Sequence, residues 1–536
     1  MTTTWTRTRP LIAGRKSAVA SAHPLASLAG LRMLERGGNA IDAAVAVAVA
    51  LSVVEPYMSG PGGVGFLLLH LADGQAKVLN FSGHAPAAAK AERFTPETQE
   101  RGPRSCLVPG CVAGWLEALE RHGALPAKTV FSGAIELADE GFPLHPFNVM
   151  MMQSVRPRLD AHGLEVYGAP PRMGGVLRQP DLARSLRRIA DHGRDEFYRG
   201  DLGRAIADHL ENQDGFLSRE DLAGYQPAWE SPLSVDYRGL TIRTCPPNNE
   251  GFQILQTLKI LEGFDLASVG HNTAEYVHLL SEAVKLSVAD RIQWGGDPRF
   301  RPVPIDRLLS DDYIAGRRGR IDQHRASRSE GERWRGPREM GAVAPGPLDG
   351  MTTHLAAVDA AGNVASITQS LGAGFGSGVV VPGTGIALNN FAYWCEVDPR
   401  CPTPNLIEPG KRWSSCMAPL HVLRDDRFWF SVSTPGSYGI LQTALQMALN
   451  VIEFGADLQA AIEAPRFRVW EETRMQMEGR FGEAMREELA ARGHALEMLG
   501  DYSMLVGGGQ GVMIDPVSSA RLAGADPRRD GYALAF

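Results

Sequence analysis

Cysteine is scarce in this chain: Cys106, Cys111, Cys245, Cys395, Cys401 and Cys416 are the six in 536 residues, and none stands at a paired spacing. That argues against a disulfide framework and against a cysteine metal site, and it fits a reduced compartment. Histidine offers no zinc pattern either. His271 and His278 lie in one helical stretch without a third ligand nearby in sequence, so packing or surface roles are expected for both, and neither metal nor cofactor is expected. Basic stripes are missing. The 54 Lys and Arg against 61 Asp and Glu give a net charge of −7, which argues against nucleic acid and anionic membrane as partners and leaves small molecules. Long apolar runs are missing as well. The longest, Ala43 to Val54 between Asp42 and Glu55-Pro56, falls short of the ~20 residues that span a bilayer and reads as a buried helix. The opening MTTTWTRTRP carries basic residues without the apolar core of a secretory signal, so the expected location is cytoplasmic.

The patterns that are present alternate between strands and helices. Length alone suits about three or four domains, or one large layered domain with insertions. Residues 17–120 read as strand, helix, glycine-rich turn, strand pair and helix. Residues 121–300 are mainly helical, with amphipathic stretches at Leu182–Ile189 and Ala274–Asp290 and a strand pair around Leu233–Ile242. From 352 onward several strands precede a helix from about Ile440 to Phe454, stopped by Gly455. This mixture is compatible with stacked sheets between helical layers. The turn Gly60-Pro61-Gly62-Gly63-Val64-Gly65 is not followed by the Lys-Ser/Thr pair of a phosphate loop, so its glycines are expected to allow close backbone approach.

The most informative stretch begins at Met351. Residues 317–350 carry many charges with several Gly and Pro and no apolar period, which predicts an exposed loop. Thr352–Asp359 and Val364–Ser370 then alternate around the turn Ala360-Ala361-Gly362, a hairpin signature. Facing Asp359 with Asn363 sets the register and places Thr352 opposite Ser370, give or take one position. Two hydroxyls meet there. A threonine so placed can attack the carbonyl before it, shift the peptide to an ester and emerge after hydrolysis as a new amino terminus. Its free α-amine, titrating near ~8, then serves as base for its own hydroxyl. The tripeptide alone is also that of an ordinary strand start, and His354 is expected to be a structural support.

Thr352-Thr353-His354, Val358-Asp359, Gly362-Asn363, Phe375-Gly376-Ser377-Gly378, Leu388-Asn389-Asn390, Pro409-Gly410-Lys411-Arg412, Ser414-Ser415-Cys416-Met417-Ala418-Pro419, Pro435-Gly436-Ser437 and Ala525-Asp526-Pro527-Arg528 follow one another in order. So do Glu35-Arg36-Gly37-Gly38-Asn39-Ala40-Ile41-Asp42-Ala43-Ala44, Gly62-Gly63-Val64-Gly65-Phe66, Val108-Pro109-Gly110 and Asp236-Tyr237-Arg238-Gly239 in the first half. In this collinear set the chain resembles the γ-glutamyltranspeptidase family, whose glutathione hydrolases are amino-terminal nucleophile hydrolases. The resemblance implies an α+β fold, the four-layer αββα sandwich. It implies autocatalytic cleavage of a zymogen into a large subunit (1–351, with a helical insertion) and a small subunit (352–536) that interleave as one domain. A homodimer of the cleaved pair stays open.

By the same resemblance Thr352 is the nucleophile, Ser370 orients it, Thr353 supports it, and the backbone N–H groups of Gly436 and Ser437 form the oxyanion hole at a helix start. The family has a second glycine where this chain has Ser437. Substrate-binding positions fall on Ser82, Thr353, Gly372, Phe391, Trp394, Ser415 and Cys416, and several depart from the family. Ser82 stands where the family has an Arg for the α-carboxylate, Gly372 replaces an Asn, and Phe391 and Trp394 replace polar groups for the α-ammonium. A zwitterion loses its bidentate partner there, a cost of several kcal/mol, unless Arg93, Arg101, Arg104, Glu396 or Asp398 compensates. Three readings result: acyl transfer from γ-glutamyl amides, an acylase of the cephalosporin-acylase or oxamate-hydrolase kind, and an uncleaved binding homologue. Retention of Thr352, Ser370 and Gly436 argues against the last.

Overall fold

The chain folds into two seven-stranded antiparallel sheets stacked face to face with helices on both outer sides. The description rests on a computed structural model covering residues 5–328, 350–401, 403–470 and 472–536. The first sheet runs Tyr532–Ala535, Ala18–Ser21, Met351–Val358, Val364–Gly372, Val64–His70, Ala76–Phe81 and Ala228–Glu230. The second runs Ile12–Gly14, Arg521–Ala525, Gln510–Ile514, Arg427–Ser433, His421–Arg424, Leu240–Thr244 and Leu233–Tyr237. This is the αββα sandwich. The parts before and after residue 351 share both sheets, because the Met351–Gly372 hairpin is inserted between Ala18–Ser21 and Val64–His70, and His421–Arg424 pairs with Leu240–Thr244.

Period-two patterning decides which side chain faces which layer. On the hairpin and its neighbours, Leu355, Ala357, Ala365, Ile367, Leu67 and Leu69 point outward into the core built around the helix Ala40–Val54. Every residue of that helix is buried. Its alanines and valines let it lie close against the sheet, and each fully buried valine contributes about 1.5–3 kcal/mol. A capping box starts it, with the Asn39 side chain accepting from Ile41 and Asp42 while Asp42 accepts from the Asn39 N–H. Asp42 also accepts from the Ala124 and Leu125 N–H groups and so pins the next loop. Ala18, Ala20, Ala356, Val358 and Val364 point the other way, toward Phe428, Val512, Ala523 and Ala525 of the second sheet. Ser366 stitches the sheets together from the same face, within 3.0 Å of His421 Nε2 and 2.8 Å of Ser431 Oγ. Helices Phe252–Leu261, Ala274–Trp294 and Ile440–Ile452 form the layer outside the second sheet.

The charged segment begins later than its composition suggested. Arg317 and Arg318 close a helix, Asp311–Arg318, on which Arg317 pairs with the buried Asp290. Most of that segment, residues 329–349, lies outside the described residues. Among the described residues no helix is long and apolar enough to cross a membrane.

Candidate active site

The hairpin register is the one its turn demands. Asp359 N–H donates to Asn363 O, Gly362 takes a positive φ of 95°, and Thr352 stands opposite Ser370. The ladder is irregular between Met351 and Thr352, so the bond before the threonine leaves the regular sheet where the hydroxyls meet. Thr352 Oγ1 donates to Ser370 Oγ at 3.1 Å, and Ser370 Oγ in turn donates to the carbonyl oxygen of Met351 at 2.6 Å. The Gly372 N–H donates to Ser370 Oγ at 2.8 Å and fixes the serine rotamer. One hydroxyl thus links the candidate nucleophile to the carbonyl it would attack. Thr352 itself is buried.

Strand alternation sends Thr353 to the opposite face, where its Oγ1 donates to Glu55 Oε2 at 3.1 Å. It therefore braces the strand through Glu55, on the face turned away from Ser370. Glu55 closes the buried helix Ala40–Val54. Its pKa is raised to about 7 by burial, with the Arg529 charge and the Thr353 hydrogen bond opposing. Arg529 Nη1 donates to the Thr352 carbonyl at 3.1 Å. Neither residue was singled out from sequence. The signals were present, however: Glu55 is a carboxylate directly after a long apolar run, and Arg529 follows the Asp526-Pro527-Arg528 string. Asp526 and Arg528 join Arg466 and Glu478 in a fully buried ion network that anchors the loop presenting Arg529. His354 faces the same side as Thr352. It bonds Thr368 Oγ1 at 2.8 Å, and burial lowers its pKa to about 3, so it is a neutral structural ring rather than a proton donor.

Gly436 and Ser437 lie at the turn between strand Arg427–Ser433 and helix Ile440–Ile452, with φ of 132° and 55°. Gly350 presses on this turn: a Cβ built on it would fall 2.4 Å from Ser437 Cβ and 3.0 Å from Ser437 N. In the continuous chain Gly350 thus lies against one of the two candidate oxyanion donors. Ser437 Oγ accepts from Trp394 Nε1 at 3.2 Å.

The remaining sequence-selected positions form the wall beyond. Trp394, Phe391 and Trp413 pack as one aromatic cluster, with Phe391 stacked on Trp413 at 4.3 Å between centroids. Gly372 has a φ of 105°, and a Cβ there would lie 2.2 Å from Asn390 Oδ1 and 3.0 Å from the Trp394 ring. Asn390 and the Trp394 ring thus fill the space a side chain at 372 would occupy. Ser82 is buried in a polar net: it donates to Asn80 Oδ1 at 2.8 Å and accepts from Asn248 Nδ2 at 3.1 Å, and Asn80 also donates to Glu230. The cation of this net, Arg412, donates to Glu230 Oε1 at 2.9 Å. Ser415 and Cys416 are buried beside it, where Ser415 N–H donates to Asn248 O. The charged groups that could compensate for the lost zwitterion contacts are held locally. Arg93 lies over the Phe216 ring, Arg101 donates to Leu159 O, Arg104 pairs with Asp214, Glu396 accepts from Val397 and Asp398 N–H, and Asp398 pairs with Arg400. The glycine-rich turn behaves as expected, since a Cβ on Gly62 would meet Ala387 O at 2.2 Å and one on Gly63 would meet Ser370 O at 2.6 Å.

The family model for gamma-glutamyltranspeptidase matches residues 26–536. The chain is 38% identical over 501 residues to the acylase ACY 1 proenzyme of Pseudomonas sp. (strain SE83), covering 90% of this chain and 87% of that protein. It is 33% identical over 548 residues to the glutathione hydrolase proenzyme of Escherichia coli (strain K12), covering 96% and 91% respectively. The crystal structure of cephalosporin acylase from Bacillus halodurans superposes with a TM-score of 0.90 at 33% identity, covering 100% of this chain and 98% of that one.

Proposed function

The chain belongs to the gamma-glutamyltranspeptidase family of self-cleaving amide hydrolases and acyltransferases, and on that premise we propose that Thr352 first cuts the chain and then turns over small-molecule amides. The observation that carries this reading is the Thr352–Ser370–Met351 hydrogen-bond relay. As Thr352 Oγ1 bonds to the Met351 carbonyl carbon, its proton passes to Ser370 Oγ and the serine proton passes to the carbonyl oxygen, so the tetrahedral intermediate forms without net charge. The C–N bond then breaks with a proton to nitrogen, leaving an ester between Met351 and Thr352 Oγ1. Water cleaves the ester to release the Met351 carboxylate and a Thr352 amino terminus.

In turnover the Thr352 amine takes the proton from its own Oγ1, and the hydroxyl acylates with the substrate's carbonyl oxygen held by the N–H groups of Gly436 and Ser437. Removal of the Gly350–Met351 end uncovers the Ser437 donor, so cleavage both creates the base and opens the oxyanion site. Water or an amine then accepts the acyl group. The acyl donor is an amide whose acyl part lacks the α-ammonium of a γ-glutamyl group. Trp394 packed over Gly372 and the closed net at Ser82 support this, and both are consistent with the similarity to acylases.

Electrophoresis of purified protein is expected to show fragments of 351 and 536 − 351 = 185 residues, the smaller with Thr352 at its amino terminus. A panel of γ-glutamyl and plain acyl anilides is expected to favour the latter. Robust γ-glutamyl release inhibited by free glutamate would overturn the acylase reading while leaving the family mechanism intact.

A further inference from the structure

Three side chains with no part in the chemistry above converge inside the second helical layer. His278 and Glu282 stand one turn apart on the helix Ala274–Trp294, and His494 enters from the turn between helix Glu483–Ala491 and strand Ala495–Leu499. A ligand-type atom from each lies within 4.8 Å of the others, and all three residues are buried. The tautomers follow from geometry. His278 Nε2 lies 2.7 Å from the carbonyl oxygen of Asp322, which can only accept, so the ring carries its proton there and turns a bare Nδ1 inward. His494 Nε2, 2.8 Å from that Nδ1, must then donate, and its own Nδ1 is left buried without a partner. A distal N–H anchored on a backbone carbonyl, with the near nitrogen presenting a lone pair, is how proteins orient a liganding histidine. The Glu282 carboxylate is held by Lys285 Nζ at 2.6 Å on one oxygen and by the Ser327 N–H at 3.1 Å on the other.

We propose that His278, Glu282 and His494 form a binding site for a divalent transition-metal ion, with zinc the best match to two imidazoles and one carboxylate. Zinc–nitrogen bonds of about 2.1 Å in a tetrahedron set their nitrogens ~3.4 Å apart, so the histidine pair opens by about 0.6 Å to admit the ion. His494 moves its proton from Nε2 to Nδ1, a tautomer exchange without change of charge. Two ligands precede the Met351–Thr352 bond and one follows it. Where the chain is cut, the ion joins two polypeptides, reinforcing the Ala326 N–H to Arg492 O and Arg492 Nη1 to Gln323 O contacts. Only this joining role rests on the cleavage reading.

The test titrates metal-stripped full-length protein with zinc chloride by calorimetry and repeats it with cobalt to read tetrahedral absorption bands. The wild type is expected to take up about one equivalent and to unfold at a higher temperature with zinc, while His278→Gln and His494→Gln each bind at least about 100-fold more weakly. Near-ultraviolet circular dichroism checks that both variants fold. Thr352→Ala is expected to bind zinc as the wild type does, which separates the metal site from self-cleavage and from a metal held by the new amino terminus. Absence of stoichiometric uptake, or uptake unchanged in both histidine variants, overturns the proposal.

Discussion

Replacing Ser370 with alanine probes the proposed chemistry most directly, because one hydroxyl accepts from Thr352, donates to Met351 O and accepts from Gly372 N–H. Its loss removes the proton relay, an effect of about 10²–10⁴ in rate, and a donor to the developing oxygen charge, about 3 kcal/mol. Both roles belong to the same atom, so the factors overlap rather than multiply, and the expected slowing of self-cleavage is about 10³, or ~4 kcal/mol in barrier. A maturation complete in minutes would then take about a day. Leaving the buried Gly372 N–H unpaired costs a further ~1–3 kcal/mol of stability, which is tolerable in a domain with this much buried core. The assay is a time course on denaturing gels, following the 536-residue precursor into its two fragments. Ser370→Thr, which keeps a hydroxyl, should recover most of the rate. If Ser370→Ala matured as fast as the wild type, the relay would be wrong and another group would have to carry the proton.

Thr352→Ala is expected to leave one intact band and no measurable amide turnover, checked on gels and with anilide substrates. Trp394→Ala should open the space above Gly372 and shift kcat/KM toward bulkier acyl groups by about 10–200-fold relative to small ones, measured over an acyl-length series. Glu55 supplies a pH test. Its folded pKa of about 7 exceeds its ordinary 4.5, so the protonated form is favoured by folding, and the associated stability is full below about 4.5 and lost as pH rises to about 7. Glu55→Gln should flatten that decline, worth on the order of 3 kcal/mol, in denaturant melts from pH 4 to 8; an unchanged slope would show that Glu55 is already ionised in the fold.

Much of the site could be read in advance because it depends on local spacing. The turn Ala360-Ala361-Gly362 admits one register, and that register brings Thr352 to Ser370. Glycine at 436 marked a strand-to-helix turn for the same local reason. The motif string carries no sense of side, so it did not show that the strand alternates and turns the Thr353 hydroxyl to Glu55. Ser82 could be read as standing at the position of an Arg in the resemblance, but its partners Asn80, Asn248 and Glu230 are scattered along the chain.

Periodicity and turn chemistry are short-range properties, and they were enough to specify the hairpin, the buried helix Ala40–Val54 and the pairing of the two hydroxyls. Long-range closure governed the rest. Arg529 reaches the Thr352 carbonyl, Gly350 lies against Ser437, and His494 meets His278 across 216 residues of chain. Such contacts depend on how two sheets and their helices dock, and a linear pattern holds no record of which distant side chains that docking brings within bonding distance.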